Sequence, residues 1–447
     1  MGSPPKLAPD ATVWAGYSGG LDSTVLLHLL KQSGLPLKAL HVNHHLQVAA
    51  NRWVDHCREF SAVLGVPIYV MDVKVDPRDP DGPEAAARGA RYGAIRGLMK
   101  PGDCLATAHH QDDQAETVML RLVRGAGVAG LAAMRSRSEF SPGILWRPLL
   151  RCTREQLRHY AEHYQLSWVE DPHNLDPRYS RTFLRTELFP RLQQRWPQAI
   201  ELLARTADHC ADAVELLDEL AVRDLQNAEQ DGALSVRALL SLPRARRNNL
   251  LRYWVAHAGH ETPTFDALSQ LEKEVLRARP DASPLLAWGE TELRRFRDSL
   301  YLMPRLPPPP KGAVLEWNGR HDLELPPGCG WLRVIRSGPP ALRIESSAGS
   351  VEGDRGGANA ELPLRVVFPK GGERIKPAGS RYTRTLRNLF QEEAIPGWVR
   401  ERVPLIQLEG ELVAVADRWL TGAFKKLCQK HGLKLEWQHN LVGHCGN

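Results

Sequence analysis

The stretch "WAGYSGGLDSTVLLHLL", Trp14 to Leu30, passes from a short apolar segment through a serine, two glycines, an aspartate and a second serine into a leucine-rich run. The apolar segment reads as a buried strand and the leucine run as a helix, so the glycines occupy a strand-to-helix turn. Two glycines there let backbone N–H groups turn inward. The helix starting near Leu21 adds its positive end, and together they make a cradle for phosphate oxygens formed by Ser18, Gly19, Gly20, Leu21 and Ser23. It is not a Walker loop, since no Gly-Lys-Ser/Thr follows, and not a dinucleotide fingerprint, since the third glycine is absent. Asp22 is the informative member: a carboxylate repels bare phosphate, so its presence implies a bridging Mg²⁺. A plain N-capped helix is the alternative, and six matching residues weigh against it.

Outward from this turn, strand-like and helix-like segments alternate. "ATVWAGY", "LKALHVN", "PIYVMDVKV" and "DCLATAHH" read as strands; "STVLLHLLKQSG", "ANRWVDHCREFSAVLG" and "EAAARGARYGAIRGLMK" read as helices. Strand, helix, strand at this spacing predicts an α/β fold, a parallel sheet with helices on both faces. Ligands on such sheets bind at the carboxyl ends of the strands. "SGGLDS", "HVNHH" and "ATAHHQDDQAET" therefore share one rim.

After Pro190 the pattern changes to long amphipathic helices and then to an arginine-rich stretch, followed by the proline run Pro307 to Pro310. The segment "SSAGSVEGDRGGANAE" (346–361) is poor in apolar residues, and the tail reads as a small mixed strand and helix domain. The expected organisation is a catalytic domain over 1–215, a helical, arginine-rich RNA-binding domain over 216–306, a linker over 307–361 and a C-terminal α+β domain over 362–447. A chain of 447 residues exceeds what one core supports, since cores stop growing at roughly 250–300 residues.

Composition narrows the class. A hydrophobic fraction of 43% and a charged fraction of 25% are those of a globular protein. The seven cysteines are scattered and never spaced Cys-x-x-Cys, which argues against a disulfide framework or zinc knuckle and for a reducing compartment. No signal-peptide core or membrane span is present, so cytoplasmic location is the expectation. The net charge of +6 leaves metabolic enzyme and polyanion binder both open. Arginine clusters such as "LPRARRNNLLRYW", "ELRRFRD" and "SRYTRTLRNLF" recur along the chain and together favour a nucleic acid partner.

"SGGLDS" resembles the pyrophosphate loop of the N-type ATP pyrophosphatases, which split ATP between the α- and β-phosphates. The resemblance implies transfer of AMP to a carbonyl oxygen, followed by attack of a nucleophile and loss of AMP. A sulfur nucleophile fits poorly, because no cysteine lies beside the loop and none is paired closely enough to hold a cluster. An amine nucleophile needs acids that anchor a cation. If a helix starts near Asp112, Asp113 and Glu116 lie three apart on one of its faces, and two carboxylates at a strand end suit an ammonium group. His109 and His110 precede them, placed to contact phosphate or relay a proton. Acids decorating a helix N-terminus for its dipole are the structural alternative, and no spaced His-Glu-x-x-His pattern marks a transition-metal site.

The combination resembles the bacterial tRNA(Ile)-lysidine synthetases. "SGGLDS" (18–23), "HVNHHL" (41–46), "ARGARY" (87–92), "ATAHHQDDQAET" (106–117), "RGAGVAGLAAM" (124–134), "RPLL" (147–150) and "WVEDPHNLDPRYSRTFLR" (168–185) follow that family's pattern. "GGERIKPAGSRYTRTLRNLFQEEAIPGWVRERVPLI" (371–406) does the same at the C-terminus. Gln47 stands where the family often has arginine, and Tyr179-Ser180-Arg181 stands where an Arg-Asn pair is usual; Asp171 and Asn174 keep their places.

The resemblance implies that ATP adenylates the 2-carbonyl oxygen of the wobble cytidine in a CAU anticodon and that the ε-amine of free lysine then displaces AMP. It implies that Ser18, Gly19, Gly20, Leu21 and Ser23 hold pyrophosphate, Asp22 holds Mg²⁺, His41 and Asn43 flank the adenosine, and His109 meets phosphate. Arg88 or Arg91 clamps the lysine carboxylate while Asp113 and Glu116 take its ammonium, with Asp113 also a proton acceptor. Arg124 faces phosphate or the activated base. Arg181, Arg185, Arg384 and Arg387 contact the tRNA, and a homodimer is the assembly left to test. Trp254 and Trp398 are expected in cores rather than stacked on bases. Two rival readings are a tRNA thiolase or amidotransferase of the same superfamily, and a non-catalytic RNA-binding protein. Missing cysteine pairs and the lack of a glutaminase segment oppose the first. Acids facing a polyanion oppose the second.

Overall fold

The computed structural model describes residues 1–43, 50–73, 83–170, 178–279, 282–336, 363–430, 432–439 and 441. Gln47, the second half of "HVNHHL", Asp171, Asn174 and the 346–361 segment lie outside the described residues, and so does the side chain of Arg88. Two compact units divide the chain, Met1–Leu217 and Asp218–Asn447.

The first unit opens with β1 (Val13–Gly16), α1 (Leu21–Gln32), β2 (Leu37–Asn43), α2 (Ala50–Val63), β3 (Ile68–Asp72), α3 (Pro83–Leu98) and β4 (Cys104–Ala106). It continues with α4 (Gln111–Val123), α5 (Val128–Leu131), β5 (Arg137–Phe140), β6 (Gly143–Trp146), α6 (Arg154–His163), α7 (Ser180–Phe183), α8 (Phe189–Arg195) and the start of α9 (Ala199–Ala228). A π-helical turn, Leu184–Leu188, joins α7 to α8. The six strands run in the order β3-β2-β1-β4-β6-β5, parallel throughout except for the β5–β6 hairpin at one edge.

Alternation along the strands sends successive side chains to opposite faces. Val13, Ala15, Tyr17 and Ala39 pack against α1, where Val25, Leu26, Leu27 and Leu30 are all fully buried. Trp14, Leu40, Leu105 and Leu145 pack on the other face against Ile95 and Met99 of α3. Each buried leucine contributes roughly 1.5–3 kcal/mol relative to exposure, which explains the unbroken apolar run that follows the glycine turn. Strand order changes direction at β1, whose neighbours are β2 and β4. The loops after β1 and β4 therefore open on the same crevice, as expected for a parallel sheet.

In the second unit the arginine-rich region contains helices α10 (Val236–Ser241), α11 (Arg244–His257) and α12 (Phe265–Gln270) together with strands β7 (Glu229–Gln230), β8 (Ala233–Ser235), β9 (Leu285–Trp288), β10 (Thr291–Phe296) and β11 (Ser299–Pro304). The strands form an antiparallel sheet ordered β7-β8-β11-β10-β9, closed over a core that includes Leu250, Trp254, Leu293 and Leu300. Arg295 on β10 donates to the carbonyls of Val275, Leu276 and Ala278, which end the π-helical turn Leu271–Leu276. The arginines of this region thus serve its own architecture as well as its surface.

Beyond the prolines lie β12 (Val314–Trp317), β13 (Leu323–Glu324), β14 (Trp331–Arg336), β15 (Leu364–Val367), β16 (Arg374–Ile375), β17 (Arg384–Thr385), α13 (Leu386–Glu392) and α14 (Gly397–Arg400). The chain ends with β18 (Leu405–Leu408), β19 (Glu411–Val415), β20 (Trp419–Leu420), α15 (Gly422–Lys430) and β21 (Leu433–Gln438). Two main antiparallel sheets, β12-β15-β18-β19-β20 and β13-β14-β21, enclose a core around Leu332, Val366, Phe390, Trp398 and Ile406. Trp254 and Trp398 are both core residues, each 3% exposed.

Candidate active site

The turn after β1 is shaped by its own side chains. Gly19 has φ +86°, and a Cβ there would lie 2.9 Å from Cys57 Sγ, so this position needs glycine on both counts. Gly20 is the N-cap of α1. Ser23 Oγ donates to Gly20 O at 2.9 Å and accepts from Ser18 N at 3.2 Å, while Val169 N donates to Gly19 O at 2.9 Å from outside the loop. The turn is held before any ligand arrives.

Ser18, Gly20, Leu21, Asp22 and Ser23 line a cavity of about 840 Å³, large enough for a nucleotide with a second substrate. Its other walls carry Thr107, His109 and Asp113 from the β4 end, Arg91 and Tyr92 from α3, Arg154 and Arg158 from α6, and Arg181 and Arg185. Leu40, Val42, Ile95 and Leu105 supply an apolar side suited to a base. His109 Nδ1 is hydrogen-bonded to Thr107 Oγ1 at 2.9 Å.

Beneath the turn sits a charge network whose centre is His110, only 1% exposed. Its Nε2 lies 3.7 Å from Asp22 Oδ2 and 3.4 Å from Asp113 Oδ2, and its Nδ1 lies 3.4 Å from Asp112 Oδ2. Burial alone would lower the imidazole's pKa, but Asp112, Asp22 and Asp113 outweigh it, and His110 is pushed up to about 10. It is an imidazolium at neutral pH. For Asp22, burial pulls upward, yet His110, Arg154 and Arg185 hold the carboxyl below its ordinary value. Asp22 Oδ1 is buried without a hydrogen-bond partner. An ionised oxygen left without a partner beside the glycine turn fits one ligand position of a Mg²⁺ ion. Among the described residues no group of three or more His, Cys, Asp or Glu could hold a metal ion.

Asp113 and Glu116 do share a face of α4, but they are used differently from the pair of ammonium ligands expected of them. Glu116 is fully buried and does not line the cavity. Arg185 Nη2 and Nε approach Glu116 Oε1 at 2.7 and 2.9 Å, and Arg181 Nη1 lies 3.3 Å from Oε2. Burial raises the Glu116 carboxyl, and Arg185 and Arg181 only partly offset this. Arg185 also reaches Asp113 Oδ1 at 3.5 Å, and burial, which would lower its pKa, is outweighed by Glu116 and Asp113. Arg181 and Arg185, expected at the tRNA surface, thus form part of the cavity wall with Glu116 behind them. Arg185 comes from the π-helical turn, a feature often found at functional sites.

Five further expected residues, His41, Asn43, Arg124, Arg384 and Arg387, do not line the cavity. His41 is buried behind the turn: its Nδ1–H donates to Tyr17 O at 2.9 Å, Cys57 Sγ lies 3.4 Å from the same nitrogen, and burial lowers its pKa. Strand parity is the reason, because Leu40 and Val42 take the face toward the cavity and His41 and Asn43 take the other. Arg124 caps the far end of α4 and is exposed, about 16 Å along the helix from Asp113 at 1.5 Å per residue. Arg384 and Arg387 belong to the second unit, where Arg384 pairs with Glu392 and Arg387 is exposed on α13. The cationic residues the sequence reading missed are Arg154 and Arg158, whose signal was a helix start, "TREQLR", just after "RPLL".

No helix among the described residues is long and apolar enough to cross a membrane. Three family models match the chain: a PP-loop domain over residues 5–192, a TilS substrate binding domain over 234–301 and a TilS substrate C-terminal domain over 364–437. Curated relatives match nearly end to end. A tRNA(Ile)-lysidine synthase of Xanthomonas campestris pv. campestris is 40% identical over 438 residues, covering 96% of each chain. That of Alkalilimnicola ehrlichii is 41% identical over 437 residues, covering 95% of each, and that of Coxiella burnetii is 38% identical over 436, covering 97% of this chain and 94% of its own. With identity at this level across nearly the whole length and three matching family models, the chain belongs to the tRNA(Ile)-lysidine synthase family.

Proposed function

We propose that the cavity adenylates the 2-carbonyl oxygen of the wobble cytidine in an isoleucine tRNA with a CAU anticodon and then exchanges AMP for the ε-amine of free lysine. The observation that supports this reading is that residues of the Ser18–Ser23 turn line one cavity together with Asp113, Arg91, Arg181 and Arg185.

In the first half-reaction the backbone N–H groups of the turn and the hydroxyls of Ser18 and Ser23 hold the β- and γ-phosphates. A Mg²⁺ ion held by Asp22, when bound, would neutralise charge on those phosphates. The α-phosphorus bond to the bridging oxygen breaks as a new bond to the cytidine oxygen forms, and the electron pair leaves with pyrophosphate. In the second, the lone pair of the lysine nitrogen attacks C2 of the cytidine and the C2–O bond breaks, so AMP leaves with the oxygen. Asp113 lines the cavity and so accepts the proton that the ε-nitrogen loses as it bonds to C2; Arg91 serves the lysine carboxylate. Glu116 acts through Arg181 and Arg185. The arginine-bearing second unit recognises the tRNA by shape and backbone, with Arg384 and Arg387 among its contacts. A chain that acts on this tRNA works in the cytoplasm.

Radiolabelled lysine is expected to enter an isoleucine tRNA bearing CAU in the presence of ATP and Mg²⁺, and not to enter the same tRNA with its wobble cytidine replaced by guanosine. Equal labelling of the two, or none of either, contradicts the reading.

A further inference from the structure

α6 brings two guanidiniums to the cavity that neither the loop motif nor the acid cluster accounts for. Leu157 and Ala161 bury one side of this helix against α1 and the sheet. His28 of α1 is hydrogen-bonded to Tyr160 OH at 2.9 Å, and Asp112 Oδ2 accepts from Arg154 N at 2.9 Å. α6 is therefore tied to both helices that carry the site, to α4 at its first turn and to α1 further along. Its capping box, Thr153 with Gln156, fixes where the helix begins. Arg154 and Arg158, four residues apart, share a helix face about 5–6 Å from each other, and both line the cavity with Ser18, Gly20, Asp22 and Ser23.

Arg154 Nε is buried and makes no hydrogen bond. A buried guanidinium donor without an acceptor carries an uncompensated desolvation cost unless an acceptor arrives with the ligand. Arg154 also acts on Asp22 electrostatically, which places its charge close to the phosphate turn. Arginine is the side chain whose planar fork matches paired phosphate oxygens.

We infer that Arg154 and Arg158 are a clamp for pyrophosphate, holding the leaving group in the cavity they line together with the Ser18–Ser23 turn. The inference rests on the adenylation reading above and adds to it the residues that take up leaving-group charge. As the bond between the α-phosphorus and the bridging oxygen breaks, its electron pair and charge pass to pyrophosphate. A guanidinium already oriented by α6 stabilises that charge more than the ground state. Its removal thus lowers the rate more than it weakens ATP binding.

Two measurements test it on the full-length protein: single-turnover release of pyrophosphate with ATP, Mg²⁺ and the CAU-bearing isoleucine tRNA, and calorimetric binding of inorganic pyrophosphate with Mg²⁺. Arg154→Ala is expected to slow release about 10²-fold, the scale of one oriented donor at a developing anion. It is also expected to weaken inorganic pyrophosphate binding about tenfold, with tRNA affinity within twofold of wild type. Arg154→Lys recovers part of both losses, and Arg158→Ala, on an exposed side chain, shows the same pattern more weakly. Wild-type release and wild-type pyrophosphate binding in Arg154→Ala and Arg158→Ala overturn the clamp and leave the adenylation reading intact. Arginine-dependent pyrophosphate binding by a wild-type protein that never releases pyrophosphate from ATP keeps the anion site and removes the adenylation reading.

Discussion

Asp22→Asn is expected to reduce pyrophosphate release from ATP about 10³-fold in the presence of the tRNA substrate, the scale lost when a charge-stabilising group is removed from a reacting phosphate. Asparagine preserves volume but removes the ionised oxygen that stands open beside the turn. It also removes one of the three carboxylates that keep His110 charged, so the imidazole's pKa falls toward its ordinary value. Because the turn is shaped by Ser18, Gly19, Gly20 and Ser23 rather than by Asp22, the variant should keep its fold and tRNA affinity. Rapid-quench assay of labelled pyrophosphate reads the effect, and a loss below tenfold would remove Asp22 from the chemistry.

Glu116→Ala carries the second large effect, and it separates two readings of one residue. The sequence places Glu116 with Asp113 as a ligand for the lysine ammonium; the structure places it behind Arg181 and Arg185. Breaking a buried ion pair from one side costs about 3–5 kcal/mol. The lower end applies here, because the two arginine side chains are 36% and 30% exposed and water screens part of the loss. A destabilisation of about 3 kcal/mol lowers Tm by roughly 6–12 °C in a unit of about this size. Lysine incorporation should fall even well below Tm, since both arginines lose their anchor. A variant that melts like wild type and raises only the KM for lysine would restore the direct ammonium role.

The fold of the first unit was legible because its signals are local. Alternating apolar strands and helices, a glycine turn and a leucine run can be read within a short window, and the parallel topology then brings Asp22 and Asp113 to one crevice as the loop ends of neighbouring strands β1 and β4. Pairings across long sequence separations were not legible. Arg181 and Arg185 reach Glu116 across 65 and 69 residues, the second of them from a π-helical turn that no periodicity announces. Strand parity decides His41: a histidine at the end of β2 points to the cavity or away from it, and counting from Leu40 and Val42 settles which. His110 looks equivalent to His109 in "AHHQDD", yet one lines the cavity and the other is the buried counter-ion of three aspartates. In the second unit, short strands such as "TELRRF" hide among arginines whose partners are backbone carbonyls, so the sheet there reads as a basic helical region.

In the proposed reaction one cavity carries out two ordered steps. Quenched-flow analysis with α-labelled ATP, Mg²⁺ and the CAU-bearing tRNA, first without lysine and then with it, tests this most directly. Without lysine, label should accumulate on the tRNA as an adenylate while pyrophosphate is released, and adding lysine should discharge that label as AMP. Free AMP appearing at the same rate with and without lysine, or label found on lysine in the absence of tRNA, would contradict it.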